Sequence, residues 1–260
     1  MYGVGAAYAV FLWRKGFRRD NRVIYLVLLS GFLFHTIAMF KRGLSLNHCP
    51  VSNLYEATSF ALWTIVTGYI VIGAFRRVRF LGAFASPFLF ALGVFALMPG
   101  LDSGPAARGA PAVWTSLHAA VTSLSYGAFG LACVAALMFI TQERNLKFNK
   151  LQAFLSLLPP VQRLEMIIGR ALVSGFALLT AGLVLGAYGL AQLKDPPNYH
   201  FDPKIIWSCM VWIMYGSLIL MRWKYAHGGR RFALGAIGSF AFVILTFWGT
   251  NVLSPLHHPQ

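Results

Sequence analysis

Apolar residues run in long unbroken blocks along this chain, and polar residues are confined to short clusters between them. The blocks cover Tyr2–Trp13, Val23–Phe40, Ala57–Phe75, Phe80–Met98, Trp114–Thr141, Met166–Leu190, Ile205–Met221 and Phe232–Leu253. Most of them reach the ~17–25 residues that a helix needs to cross the hydrocarbon core of a bilayer. No water is available there to satisfy a backbone N–H or C=O, so only helices and closed barrels span it. A barrel strand requires alternation with period two, and these blocks show none. The pattern predicts an all-α fold: a polytopic integral membrane helical bundle with about eight transmembrane helices, of which the first is the shortest.

The connections carry the charge, and they alternate. Arg14–Arg22 holds five Lys or Arg, Arg76–Arg79 three, Gln142–Arg170 five and Arg222–Arg231 four. The intervening connections hold only Lys41, Arg42, Arg108, Lys194 and Lys204, so seventeen basic residues stand on one side against five on the other. Lys and Arg concentrate on the cytoplasmic side of a membrane protein. The expectation is therefore eight spans with both termini outside, in a multi-pass protein of the cell inner (plasma) membrane. The chain reads as a single transmembrane domain over residues 1–260, with no soluble domain and no obvious repeat. Gln142–Glu165, which contains Pro159 and Pro160, is expected to lie along the membrane surface. Gly169, Gly175, Gly182, Gly186 and Gly189 are expected to allow close helix approach. A short apolar start followed by a basic cluster reverses the order of a cleavable signal peptide.

Composition agrees and removes several function classes. Hydrophobic residues make up 58% of the chain and charged residues 11%, against ~25% charged in soluble domains. The net charge of +15 does not point to nucleic acid, because the cations are split among separate clusters rather than gathered on one solvated face. Membrane lipid is the expected surrounding partner. Cys49, Cys133 and Cys209 form neither a CxxC pair nor a CxxCH haem-attachment site. No P-loop and no nucleophile–base–acid set is present, so neither nucleotide-driven transport nor hydrolysis is indicated. The few acids have structural readings. Glu56 opens the third span, where a carboxylate suits the positive end of a helix. Asp202 before Pro203 reads as an N-cap followed by Pro at the first helical position.

Seven histidines are the main polar signal that remains. In this topology His48, His118, His200, His257 and His258 lie on or near the outer face, and His35 lies toward the outer end of the second span. Ionisable residues at membrane depth are functional candidates by default. His118 stands one turn into the fifth span and His257 just past the end of the eighth, so they share a depth although distant in sequence. Two imidazoles converging between aromatic walls make a bis-histidine site for haem b. Arg108, Lys194 and Lys204 are outer cations suited to haem propionates. Each histidine is equally readable as an interfacial residue or a helix–helix hydrogen bonder. Cys49-Pro50 beside His48 is a weaker, thiolate option.

Four segments resemble a known family. Asn47-His48-Cys49-Pro50-Val51-Ser52-Asn53-Leu54-Tyr55-Glu56, with Phe60 and Trp63, is similar to a signature of the cytochrome c assembly family (the CcsA, CcmC and HemX type). So are Trp114 with Leu117-His118 and Ser125-Tyr126, then Phe201-Asp202-Pro203-Lys204 with Trp207, Trp212 and Tyr215. The last segment, Thr246-Phe247-Trp248-Gly249-Thr250-Asn251 with Leu256-His257, completes the family's order across residues 47–258.

The resemblance implies haem handling at the outer membrane face, with haem delivered or ligated to apocytochrome c and another membrane protein of an assembly system as partner. It places the axial ligands at His118 and His257, with His258, His200, His35 and His48 as weaker ligands. Trp114, Tyr199, Phe201 and Trp248 form the walls, with Arg108 and Lys204 toward the propionates. Such a chain would be a component of a haem lyase system without an acid–base residue of its own, because positioning haem and thiols carries the reaction. The chain departs from the family where a tryptophan-rich stretch is expected: it reads Lys194-Asp195-Pro196-Pro197-Asn198-Tyr199-His200. The family's further membrane histidine is absent from Leu218–Arg222. These departures keep two other readings open: a HemX-like regulatory or scaffold protein without haem transfer, and a lipid- or quinone-binding subunit of a membrane complex.

Overall fold

Each apolar block is a helix, and most helices run past the ends of their blocks. A computed structural model of the chain describes residues 1–15, 22–46, 54–74, 76–98, 113–148, 160–192, 202–225 and 229–253. Among them the helices are α1 (Tyr2–Lys15), α2 (Arg22–Leu46), α3 (Leu54–Gly73), α4 (Gly82–Ala96), α5 (Val113–Phe148), α6 (Val161–Ala191), α7 (Pro203–Tyr225) and α8 (Gly229–Leu253). A 3₁₀ segment, Arg76–Leu81, leads into α4. There is no strand among the described residues. The helices overrun their apolar blocks because leaving the hydrocarbon does not oblige a backbone ladder to stop. Gln142–Phe148 accordingly prolongs α5 and Val161–Glu165 opens α6, where a surface-lying stretch was expected; residues 149–159 lie outside the described residues.

Six of these helices are long and apolar enough to cross a membrane, and the chain is a multi-pass membrane protein. The two others that were expected to span, Tyr2–Trp13 and Thr58–Gly73, are shorter apolar helices. At a rise of 1.5 Å per residue, the 14 residues of α1 reach about 21 Å and the 20 of α3 about 30 Å, against a hydrocarbon core of ~30 Å.

Successive helices run antiparallel. Met1 and Tyr2 meet Gly31 and Leu28 meets Gly5, while Trp63 reaches back to Thr36 and Tyr69 lies against Gly82. The second half repeats this, with Phe129 on Gly175, Trp212 on Thr180 and Leu218 on Gly235. The start of α1 and the end of α8 therefore fall at the same end of the bundle. That end also carries Glu56, His118 and Asp202, and the opposite end collects Arg22, Arg79, Arg163, Arg222 and Arg230.

α5 is the centre. Its membrane window is 67% buried, while those of α2 and α7 are 17% buried and so form the rim. The tightest seam joins α5 to α6 through a stripe of glycine at Gly175, Gly182, Gly186 and Gly189, which face Phe129, Thr122, His118 and Trp114. A Cβ at Gly175 would stand 2.6 Å from the Phe129 ring, and one at Gly182 2.5 Å from the Thr122 methyl. These glycines are there for close approach. In lipid, helices gain little from hiding apolar surface, so association relies on such packing and on interhelical hydrogen bonds.

Three of those bonds share one design. Trp63 Nε1 donates to Thr36 Oγ1 at 2.9 Å, Trp212 to Thr180 at 2.9 Å and Trp207 to Thr246 at 2.7 Å. Each threonine hydroxyl in turn donates to the carbonyl of a phenylalanine four residues earlier: Phe32, Phe176 or Phe242. The indole N–H of each tryptophan thus finds a partner without leaving any helix carbonyl stripped of its ladder bond, because a carbonyl has two lone pairs.

Overpacking the glycine seam should outweigh loss of one such bond. Gly175→Leu is expected to destabilise the protein by about 1–3 kcal/mol, and Trp212→Phe by roughly 0.6 kcal/mol, the average for interhelical hydrogen bonds in membranes. Thermal unfolding in detergent would rank the two, and the reverse order would show that the seam is loose.

Candidate functional site

The N-terminal end of α5 presents Trp114, His118 and Thr122 at helical spacing toward α6. His118 is fixed by one short bond: its Nδ1 lies 2.6 Å from the carbonyl oxygen of Gly182. A carbonyl only accepts, so Nδ1 carries the proton and Nε2 holds the lone pair. A hydrogen bond at one ring nitrogen sets which nitrogen is left to bind a metal. Gly186 makes room for this pose, because a Cβ there would stand 2.7 Å from Nδ1. Thr122 ties its hydroxyl to the His118 carbonyl at 2.7 Å, so the residue is held at ring and backbone.

The neighbours are aromatic on one side and cationic on another. Trp114 meets Tyr188 edge-on with ring centroids 4.8 Å apart, and leaves 39% of its surface exposed. Asp202 is buried and caps α7, its Oδ1 accepting from the backbone N–H groups of Lys204 at 2.9 Å and Ile205 at 3.3 Å. This is the expected N-cap followed by Pro203, and it places Lys204 in the first turn of α7. Lys204 thereby stands at the same end of the bundle as His118. One turn deeper, Trp207 is buried between Tyr126, at a centroid distance of 6.3 Å, and Thr246. Phe129 and Tyr215 stack at 3.7 Å below that. The floor beneath His118 is therefore packed and aromatic.

The structure places His118, Trp114 and Lys204 at one end of the bundle. Trp248 belongs to the last turns of α8, two residues beyond Thr246; its side chain lies outside the description. His257, His258, His200, His48, Tyr199, Phe201, Arg108 and Lys194 also lie outside the described residues. His35 makes other contacts: its Nδ1 is 3.1 Å from the Tyr2 hydroxyl, and it lines a small, shallow cleft with Ala38, Met39, Arg42, Tyr55, Glu56 and Ser59.

Two features escaped the sequence reading. Glu56 is paired with Arg42, Oε1 to Nε at 2.7 Å, with only 1% of the carboxylate side chain exposed. Arg42 also lies over the Tyr55 ring at 4.9 Å. Nothing in the spacing of these residues announces a pair across two helices. The second is the role of Gly182 and Gly186 in posing His118; the glycine stripe was visible, but which side chain it faced was not.

Comparison with known proteins adds to this geometry. The family described as cytochrome C assembly protein matches residues 51–258. The cytochrome c biogenesis protein CcsA of Prochlorococcus marinus subsp. pastoris (strain CCMP1986 / NIES-2087 / MED4) is 27% identical over 91% of this chain and 82% of its own length. The protein of the same name from strain MIT 9312 is 30% identical over 88% of this chain and 81% of its own.

The hydrogen-bond geometry makes a direct prediction. In ¹⁵N-histidine NMR of the detergent-solubilised protein, the resonance that disappears in His118→Gln should belong to a neutral ring protonated at Nδ1. A ring protonated at Nε2 would mean that the bond to Gly182 is not formed.

Proposed function

The chain belongs to the cytochrome c assembly protein family, and on that premise we propose that it binds haem at the His118 end of the bundle in the service of cytochrome c biogenesis. The single observation that carries this reading is the pose of His118: a neutral imidazole, clamped through Nδ1, with Nε2 available to iron. The cleared space at Gly186 keeps the ring in this pose, and the partly exposed indole of Trp114 stands one turn away on the same helix. The similarity to proteins of cytochrome c biogenesis supports the same assignment.

His118 and His257 would hold haem b, with His258 and His200 as alternatives to His257. Trp114, Tyr199, Phe201 and Trp248 would supply aromatic surface to haem, and Lys204 with Arg108 would take the propionates. Lys204 is suited to this because Asp202 fixes the first turn of α7 on which it stands. When bound, haem supplies the vinyl groups to which cysteine thiols of apocytochrome c add. The chain's own share is orientation: the Gly182 carbonyl holds the ring, the aromatic floor of Trp207 and Tyr126 excludes water, and the cation sets the direction of the acidic edge. The domain is one unit over residues 1–260, crossing the plasma membrane eight times with both termini outside. This topology places the arginine-rich end in the cytoplasm and His118 on the face where c-type cytochromes are assembled, beside a partner membrane protein.

The test is spectroscopic. The purified protein should show a bis-histidine b-type spectrum, oxidised and dithionite-reduced. His118→Ala should lose most of that haem and recover it on adding imidazole; His257→Ala should weaken it as well. Cytochrome c maturation in cells carrying either variant should fall in step. A protein that stays haem-free after reconstitution with hemin would leave the regulatory or scaffold reading in its place.

A second outcome follows from the seam. Gly186→Val should lower haem content about as far as His118→Ala does while the protein still elutes as a folded species, because the added methyls displace the ring rather than remove it. Unchanged haem would show that the Gly186 clearance has no part in the site.

A further inference from the structure

α5 and α8 meet in two different ways at two levels. In the middle of the bundle the Phe240 ring lies directly on Gly130, where a Cβ would stand 3.0 Å from the ring. Four residues nearer the start of α5, about 6 Å along its axis, is Tyr126; six residues further along α8, about 9 Å, is Thr246. At this level the contact runs through a third helix. Trp207 of α7 approaches Tyr126 at a centroid distance of 6.3 Å and donates its indole N–H to Thr246 Oγ1 at 2.7 Å. The separation of two helices follows the size of the side chains at their contact. Bare glycine backbone at one level and a tryptophan at the next therefore spread the axes toward the His118 end.

The indole is held from both sides. Trp207 is 3% exposed, and its helix begins at the cap in which Asp202 Oδ1 accepts from the N–H groups of Lys204 and Ile205. Its acceptor is held too, because the Thr246 hydroxyl donates to the Phe242 carbonyl at 2.7 Å. Beyond this level α5 continues eight residues to His118 and α8 seven residues to Leu253. The bulk of the indole sets how far apart these two ends stand. Its hydrogen bond has a direction, so it also sets how α8 is turned about its axis and where the chain leaves Leu253 toward His257.

We propose that Trp207, acting through Thr246, is a positioning residue: it sets the gap between α5 and α8 at the His118 end, and with it the approach of the second ligand to haem opposite His118. The gap follows from packing alone; its use for a second axial ligand rests on the haem reading above.

Two measurements on the full chain separate the gap from the ligand. Nitroxides on encoded azido-phenylalanine at Leu117, 43% exposed, and Leu245, 79% exposed, leave the native cysteines untouched and report the distance between α5 and α8 in haem-free nanodiscs. Trp207→Leu should shorten the mean distance. Thr246→Val keeps the bulk and loses the bond, and should broaden the distribution; Thr246→Ser should keep it as in the wild type. Thr36→Val loses the matching bond to Trp63 in the other half and should leave the distribution unchanged. With hemin added, Thr246→Val should convert part of the low-spin bis-histidine spectrum to a high-spin one that imidazole reverses, while Thr246→Ser and Thr36→Val stay low-spin. A distance distribution unmoved by both Trp207→Leu and Thr246→Val would overturn the proposal with or without haem. A moved distribution with an unaltered haem spectrum would overturn the role in ligation. A wild-type chain that takes up no hemin would overturn the haem reading, and the gap would still stand or fall on the distances.

Discussion

The structure depends on how closely α5 and α6 approach. Inside lipid the backbone of every helix is satisfied by its own ladder, so two helices gain by meeting only where their surfaces fit or a side chain can bridge them. The glycines of α6 remove four side chains along one line, and Phe129, Thr122, His118 and Trp114 of α5 fill the space. This proximity brings the His118 ring within 2.6 Å of a carbonyl on the neighbouring helix. A helix pair set apart by ordinary side chains would put that oxygen out of reach, and the imidazole would be free to turn. Packing and tautomer are thus one constraint seen at two levels.

A second economy is the indole–hydroxyl joint. Tryptophan carries a donor that must be satisfied when it is buried, and threonine four residues after phenylalanine offers an acceptor already anchored to the helix. The joint ties α2 to α3, α6 to α7 and α7 to α8. Each bond is modest in energy, but its direction is fixed, so it sets the register at which neighbouring helices stop sliding. The register matters because Asp202, Lys204 and Trp207 sit at the start of α7, and their level against His118 is held by the Trp207–Thr246 and Trp212–Thr180 joints.

The repeat of this joint also exposes the division of the bundle into two similar halves, where no repeat was expected from the sequence. The halves keep geometry and not identity: Gly182 answers to Ala38 and Gly186 to Arg42. Only the positions that contact another helix retain related chemistry, and a one-dimensional comparison dilutes those few among many interchangeable apolar residues. Matching Thr36 to Thr180 and Trp63 to Trp212 puts Gly186 at the place of Arg42 and Ile205 at that of Glu56, so corresponding places in the two halves carry different polar chemistry.

Taken alone, the sequence determined the helical class, the membrane setting, the segments that become helices and the alternation of charge, because each follows from local composition and the cost of exposing backbone to hydrocarbon. It also singled out His118, Trp114 and Lys204 and the cap at Asp202, through motif order and helix-end chemistry that are local in the chain. Helix ends were less legible, since hydropathy marks where lipid stops and backbone hydrogen bonding continues beyond it. Only the tertiary structure decided that Gly182 and Gly186 face His118, that Arg42 meets Glu56, that His35 turns to Tyr2, and that α5 is central while α2 lies at the rim. Those outcomes depend on the rotation of each helix about its own axis, and in a chain apolar on nearly every face that rotation is fixed by packing against neighbours rather than by any pattern along the sequence.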